Sequence, residues 1–181
     1  MPGWLRDASR TGKIVWSGIA VLIAIAVIIT LTSGNPGPRP TPPAAKAFTL
    51  KALGSPGHQV SLAAFAGKPL VINFFASWCT PCRHETPLLA RFYRDSGGRI
   101  PIVGIDANDE AAAAQRFVRG AGVTYPVGVD AFPAATTTSY GVFALPQTFF
   151  LDARHRIVKR IIGAVTPKGL QQGVALMDRR G

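Results

Sequence analysis

The 181-residue sequence predicts an α/β domain, a central mixed sheet flanked by helices, preceded by one transmembrane helix. Three observations predict it. Residues 14–32 are an uncharged apolar run. Past a proline-rich stretch, strand-forming runs alternate with helical patterns and end in a hairpin and a closing helix, which implies strands in both directions. Both cysteines of the chain fall together at one strand-to-helix junction.

The N-terminal elements come first. Residues 1–13 carry Arg6, Arg10 and Lys13. Residues 14–32 then read IVWSGIAVLIAIAVIITLT, and a helix of that length spans about 29 Å, close to a bilayer core. No polar stripe interrupts it, so it buries all round, as lipid allows. The alternative is a cleaved signal peptide, whose apolar region runs about 7–15 residues before a small-x-small site. Thr32-Ser33-Gly34 makes a weak site of that kind, and Ala45-Lys46-Ala47 lies well beyond the run. No cysteine follows directly, which excludes a lipoprotein. The reading is an uncleaved single-pass anchor in the cell membrane. Its basic residues place 1–13 in the cytoplasm and the rest outside, although Arg39 and Lys46 reduce the contrast. Residues 33–47, SGNPGPRPTPPAAKA, read as a semi-extended linker, because proline fixes φ and donates to no ladder. Residues 48–181 form one domain.

Within that domain, Phe48–Leu53 and Val60–Leu62 read as a hairpin around Gly54-Ser55-Pro56-Gly57. Leu70–Ala76 is a continuous β-forming apolar run, expected of a strand covered on both faces. A helix follows with Pro81 in its first turn, repeats Leu88, Leu89, Phe92 and Tyr93 at helical spacing, and is expected to kink at Pro87. Ile102–Asp106 is a second buried strand and Glu110–Arg119 an Ala-rich helix stopped by Gly120. A short strand at Val127–Val129 and a short helix near Ala134–Tyr140 come next. Gln147–Leu151 and Arg156–Gly163 bracket a turn at Asp152–His155 and read as a second hairpin. Pro167–Arg180 closes the chain as a helix.

Charge and cysteine count exclude several classes. The net charge is +11, and the domain carries 15 basic against 8 acidic residues, densest over Arg154–Arg160. No interleaved aromatics or nucleic-acid motif accompany that run, so it reads as a solvated basic face and no nucleic-acid partner is expected. Attraction to anionic lipid or an acidic partner is a minor alternative. Two cysteines rule out a disulfide-stapled scaffold.

The chemistry lies in Trp78-Cys79-Thr80-Pro81-Cys82. Cys79 sits beside a helix N-terminus, where unpaired N–H groups and the dipole stabilise a thiolate. Cys82 is three residues on, on the same helix face, so the two sulfurs can close a small ring. An exposed Cys79 attacks a partner's disulfide and Cys82 resolves the mixed disulfide. Other readings fit less well. Half a zinc site needs ligands that His58, His84 and His155 are poorly placed to supply, so no metal is assigned. Haem attachment needs CxxCH, whereas Cys82 is followed by Arg83 and then His84.

NFFASWCTPCRHETP with LPQTFFLD downstream resembles the thioredoxin superfamily, and within it the membrane-anchored TlpA/ResA/DsbE group of thiol-disulfide oxidoreductases. The resemblance covers about residues 48–178. It implies a thioredoxin-like fold with an N-terminal β-hairpin and a central αβ insert between Ile102 and Gly141. By the same resemblance Cys79 is the nucleophile and Cys82 the buried resolving thiol. Pro146 matches the family's cis-proline, whose role is to expose the backbone at Leu145 to a substrate strand. Its alternative is an ordinary trans proline opening a strand. Trp78, Thr80, Pro81 and Leu145 are the expected substrate-binding residues. Glu85 aligns with an acid near the site and is expected to relay a proton to or from Cys82; the alternative is a solvated residue pairing with Arg83 or Arg91. Asn73 stands where cytoplasmic thioredoxins place a buried Asp.

The resemblance implies a membrane-tethered oxidoreductase outside the cytoplasm that reduces exported proteins such as apocytochrome c. Electrons would come through an integral-membrane thiol relay, with no cofactor beyond the Cys79–Cys82 disulfide. The same residues serve an oxidase that forms disulfides, since direction depends on relative potentials. A copper chaperone using Cys79, Cys82 and one His is the alternative from another class. A peroxiredoxin-type peroxidase places a Thr three residues before its nucleophile, where this chain has Ala76.

Overall fold

A computed structural model describes residues 21–25, 27–28 and 41–178. Contacts divide the chain into two units, Met1–Thr41 and Pro42–Gly181. In the first, the described residues 21–25 and 27–28 are helical. The rest of the anticipated span 14–32, together with residues 1–13 and 33–40, lies outside the described residues. Among the described residues, no helix is long and apolar enough to cross a membrane.

The second unit carries seven strands and four α-helices among its described residues. In chain order they are β1 (Thr49–Ala52), β2 (Gln59–Ser61), β3 (Leu70–Phe75), α1 (Thr80–Asp95), β4 (Ile102–Ala107), α2 (Ala111–Gly120), β5 (Val127–Asp130), α3 (Ala135–Ser139), β6 (Gln147–Leu151), β7 (Ile157–Ile162) and α4 (Pro167–Asp178). One mixed sheet joins the strands in the order β2-β1-β5-β4-β3-β6-β7. β3, β4 and β5 are parallel. β6 runs antiparallel beside β3, and the β1–β2 hairpin adds antiparallel to β5. The carboxyl ends of three parallel strands and the start of β6 therefore share one end of the sheet.

Every residue of β3 and β4 is buried, as strands covered on both faces require. One face packs Val71, Phe75, Ile102 and Phe150 beneath Leu89 and Ala90 of α1 and Leu170 and Met177 of α4. The other packs Ile72, Phe74, Val103 and Phe149 around Phe48, Leu62 and Tyr140. At Gly173 of α4 a Cβ would lie 2.2 Å from the buried Phe150 ring, so glycine is what lets this helix approach the sheet.

Pro87 lies inside α1, as the sequence predicts, and its missing N–H leaves the Arg83 carbonyl without its usual donor. Two other sequence-level expectations shift. Val60–Leu62 is strand only through Ser61, and Leu62 opens a 3-10 turn. The end of the proline-rich segment 33–47 is not free linker. Ile157 N donates to Pro43 O at 2.8 Å, Ala45 N to His155 O at 2.8 Å and Tyr140 OH to Lys46 O at 2.7 Å. Proline removes donors but not carbonyl acceptors, so such a segment still pairs through its oxygens.

Candidate active site

β3 delivers the chain to the shared sheet end, and Cys79 is the N-cap of α1 with Thr80 and Pro81 in its first turn. Cys79 and Cys82 are joined as a disulfide, and Cys82 N donates to Cys79 Sγ at 3.2 Å. The sulfur thus receives one of the helix donors that lack an internal acceptor, the interaction that also favours its thiolate. One expectation is corrected here: Cys79 is not exposed. It retains 5% of its surface and Cys82 none, while Trp78 is 60% exposed. Trp78, Thr80 and Pro81, all exposed, present the surface around it.

Glu85 lies one turn beyond Cys82 and is 2% exposed. Its pairing with Arg83 or Arg91 does not occur. Asn73 Nδ2 donates to Oε1 at 2.7 Å and Val165 N to Oε2 at 2.5 Å. Burial pushes its pKa up to about 7, against the two hydrogen bonds, which favour the charged form. A carboxyl in that state holds and gives up protons near neutrality. Asn73 also donates to Thr148 Oγ1 at 3.0 Å, which ties β3, β6 and α1 together behind the disulfide.

The Leu145–Pro146 peptide bond is cis. Register places it just beyond the Phe74–Gln147 pair, at the sheet end that carries Cys79. Arg160 of β7 holds the loop before it: Nε donates to Gln147 Oε1 at 2.9 Å and Nη2 to Gly141 O at 2.6 Å, with the guanidinium 5.6 Å from the Phe143 ring centre.

Sequence reasoning missed several residues at this end. Ser77 is bound on three sides: its N–H and hydroxyl both donate to the Asp109 carboxylate, the hydroxyl at 2.9 Å, and its carbonyl accepts from Arg83 Nε at 2.9 Å. Trp78 Nε1 donates to Asn108 O at 3.2 Å. A second cis bond joins Phe132 to Pro133. Phe132 is 84% exposed beyond β5 and Phe143 75% exposed before Leu145, which leaves large apolar side chains at the same sheet end as Trp78. The only local hint was Asn108-Asp109-Glu110, a polar turn between a buried strand and a helix. Among the described residues, no group of three His, Cys, Asp or Glu is arranged to hold a metal. His155 Nε2 contacts Phe65 O in the β6–β7 turn, at the opposite end of the sheet.

The arrangement is a dithiol–disulfide couple at a helix N-terminus, with a buried acid behind it and a cis-proline at the same sheet end. Comparison with known proteins agrees with that chemistry. The redoxin family profile matches residues 41–174. The thiol-disulfide oxidoreductase ResA of Bacillus thuringiensis (strain Al Hakam) is 32% identical over 118 residues, covering 64% of this chain and 66% of that protein. The thiol:disulfide interchange protein CycY of Rhizobium leguminosarum bv. viciae is 35% identical over 134 residues, covering 74% and 67%. The chain thus spans about two thirds of the length of these curated relatives. Among solved structures, a DsbF homologue from Corynebacterium diphtheriae superposes with a TM-score of 0.65 at 30% identity, covering 73% of this chain and 85% of that one.

Proposed function

The chain belongs to the redoxin family, and on that premise we propose that it is a membrane-tethered thiol-disulfide oxidoreductase that reduces exported proteins outside the cytoplasm. The observation that carries the reading is the Cys79–Cys82 disulfide at the N-cap of α1. In the reduced enzyme, the Cys79 thiolate attacks one sulfur of a substrate disulfide. An S–S bond forms between the two proteins and the substrate's other sulfur leaves with an electron pair. Glu85 accepts the proton of Cys82, whose sulfur then attacks Cys79 and releases the second substrate thiolate. The substrate gains two electrons, and the enzyme is left as the disulfide. An integral-membrane thiol relay, itself part of the proposal, returns the electrons.

The likeness to the TlpA/ResA/DsbE group supports exported substrates, with the CxxCH cysteines of apocytochrome c as the leading candidates. Trp78, Thr80, Pro81 and the backbone at Leu145 are the proposed binding elements, and Pro146 shapes the last of them. Residues 14–32 supply the proposed membrane tether, with residues 1–13 cytoplasmic and 33–41 leading to the domain. The couple itself is the redox centre, so the reaction needs no cofactor.

Intact cells treated with a membrane-impermeant maleimide test location and direction together. We expect Cys79 to be labelled without added reductant. Labelling only after a reductant would identify an oxidase, and labelling only after lysis would overturn the extracytoplasmic placement.

A further inference from the structure

Asp106, at the end of β4, is completely buried, and among the described residues no donor reaches either of its carboxyl oxygens. Phe75 and Val129 flank it in the sheet. The polar group facing it is another acid, Asp109, whose charge joins burial in raising the Asp106 pKa to about 8. Asp109 does have donors: Ser77 N, Ser77 Oγ and Glu110 N. Asn108 takes a left-handed backbone conformation, φ 50°, between the two acids, a turn that asparagine tolerates better than most residues. The loop therefore folds back onto Ser77 and Trp78, the two residues immediately before Cys79.

We propose that Asp109 is a positioning residue for disulfide exchange, clamping the Ser77–Trp78 turn so that the Cys79 sulfur stays at the α1 N-terminus, with Asp106 as its buried partner. The exchange chemistry described above uses neither acid. Three bonds fix Ser77, from Asp109 on one side and Arg83 on the other, and Asn108 O holds the Trp78 indole. Cys79 N in turn donates to Ala76 O at 3.2 Å, so the clamped turn is the one that sets the nucleophile.

Burial and the neighbouring Asp109 carboxylate both favour the protonated form of Asp106. Asp106 thus carries its proton, while Asp109 serves as the acceptor for the Ser77 N–H and hydroxyl. Loss of that proton sets two like charges against each other and loosens the clamp. The other charged and titratable groups around it are Glu110 beside Asp109, Arg83 from α1, and Glu85 and Tyr125 on the same face of the sheet.

The inference rests on Cys79 being the attacking sulfur, and its test is separable from that reading. In the reduced full-length protein, iodoacetamide alkylation against pH, read peptide by peptide, gives the Cys79 midpoint. We expect Asp109→Ala to raise that midpoint by about one unit, a tenfold shift in the thiol–thiolate equilibrium. Removal of an anion by itself has the opposite sign, since it favours thiolate. Ser77→Ala changes no charge, removes one bond of the clamp and is expected to raise the midpoint by a smaller amount. It carries the test if Asp109→Ala does not fold. The wild-type rate profile should also show a step near pH 8 that Asp106→Asn abolishes, leaving the one near pH 7 that Glu85 supplies. An unchanged or lowered midpoint in both Asp109→Ala and Ser77→Ala, whatever happens to their melting temperatures, overturns the clamp. A step near pH 8 that survives in Asp106→Asn overturns the part given to Asp106. Failure of the wild-type pair to reoxidise as one couple with glutathione disulfide would instead refute the exchange reading itself.

Discussion

Replacement of Cys79 by serine is expected to remove protein-disulfide reduction almost entirely, by roughly 10³-fold or more in rate. A serine hydroxyl supplies no thiolate at neutral pH, and the remaining thiol, Cys82, has no exposed surface from which to attack a protein substrate. The loss is not one of folding. A ring closed over so few residues restrains the unfolded chain little, and its removal costs about 2 kcal/mol on the loop-entropy estimate. Turnover with a protein disulfide, measured beside urea denaturation, separates the two effects: activity collapses while a cooperative transition remains. Activity retained in Cys79→Ser would move the nucleophile elsewhere.

Glu85→Gln should have the second-largest effect, with opposite consequences for rate and stability. Glutamine neither accepts nor returns a proton, so the step in which Cys82 displaces the substrate slows by about 100-fold near pH 7, the lower end of the usual range for general acid–base catalysis. For stability, the folded-state pKa of Glu85 is raised to about 7 from the ordinary 4.5. The folded protein therefore binds more protons than the unfolded chain between those values. The favourable contribution is complete below the lower value and is lost as pH climbs through the upper one, on the order of 3 kcal/mol in all. The variant lacks that slope. Urea denaturation at pH 5 and pH 8 should show wild type losing ground to Glu85→Gln as pH rises, even if the new amide facing Val165 N–H makes the variant weaker at pH 5. Equal pH dependence in the two proteins would mean that Glu85 is not the buried acid described here.

Both effects come from residues that the sequence already singled out, because their signals are local. An all-apolar strand, a proline in the first helical turn and two cysteines three residues apart can each be read within a short window. Burial of Glu85 follows from its place one turn after Cys82 on the packed face of α1. Its partners do not, since Asn73 lies 12 residues away and Val165 lies 80. The Ser77–Asp109 contact spans 32 residues and two elements, and nothing in the window around Ser77 announces it. The burial of Cys79 escaped for a related reason. Helix-terminus chemistry says that a thiolate is stabilised there and is silent about how much of the sulfur the packed site covers. Proline content over residues 42–47 reports lost donors and is silent about the Pro43 and Lys46 carbonyls, which accept from Ile157 N and Tyr140 OH. The cis bond at Pro146 was legible only through the family resemblance, and the one at Pro133, outside any quoted motif, was not legible at all.

In the proposed exchange, Cys79 attacks the disulfides of exported proteins and Cys82 releases them. Expressing the full chain as Cys82→Ser removes the resolving sulfur and should leave the mixed disulfide standing. Cells quenched in acid, then separated without reductant and analysed by mass spectrometry, should yield covalent adducts through Cys79 to exported proteins, with the CxxCH cysteines of an apocytochrome c among them. Adducts that are absent, or that survive in a Cys79→Ser, Cys82→Ser double variant, would rule out Cys79 as the attacking sulfur.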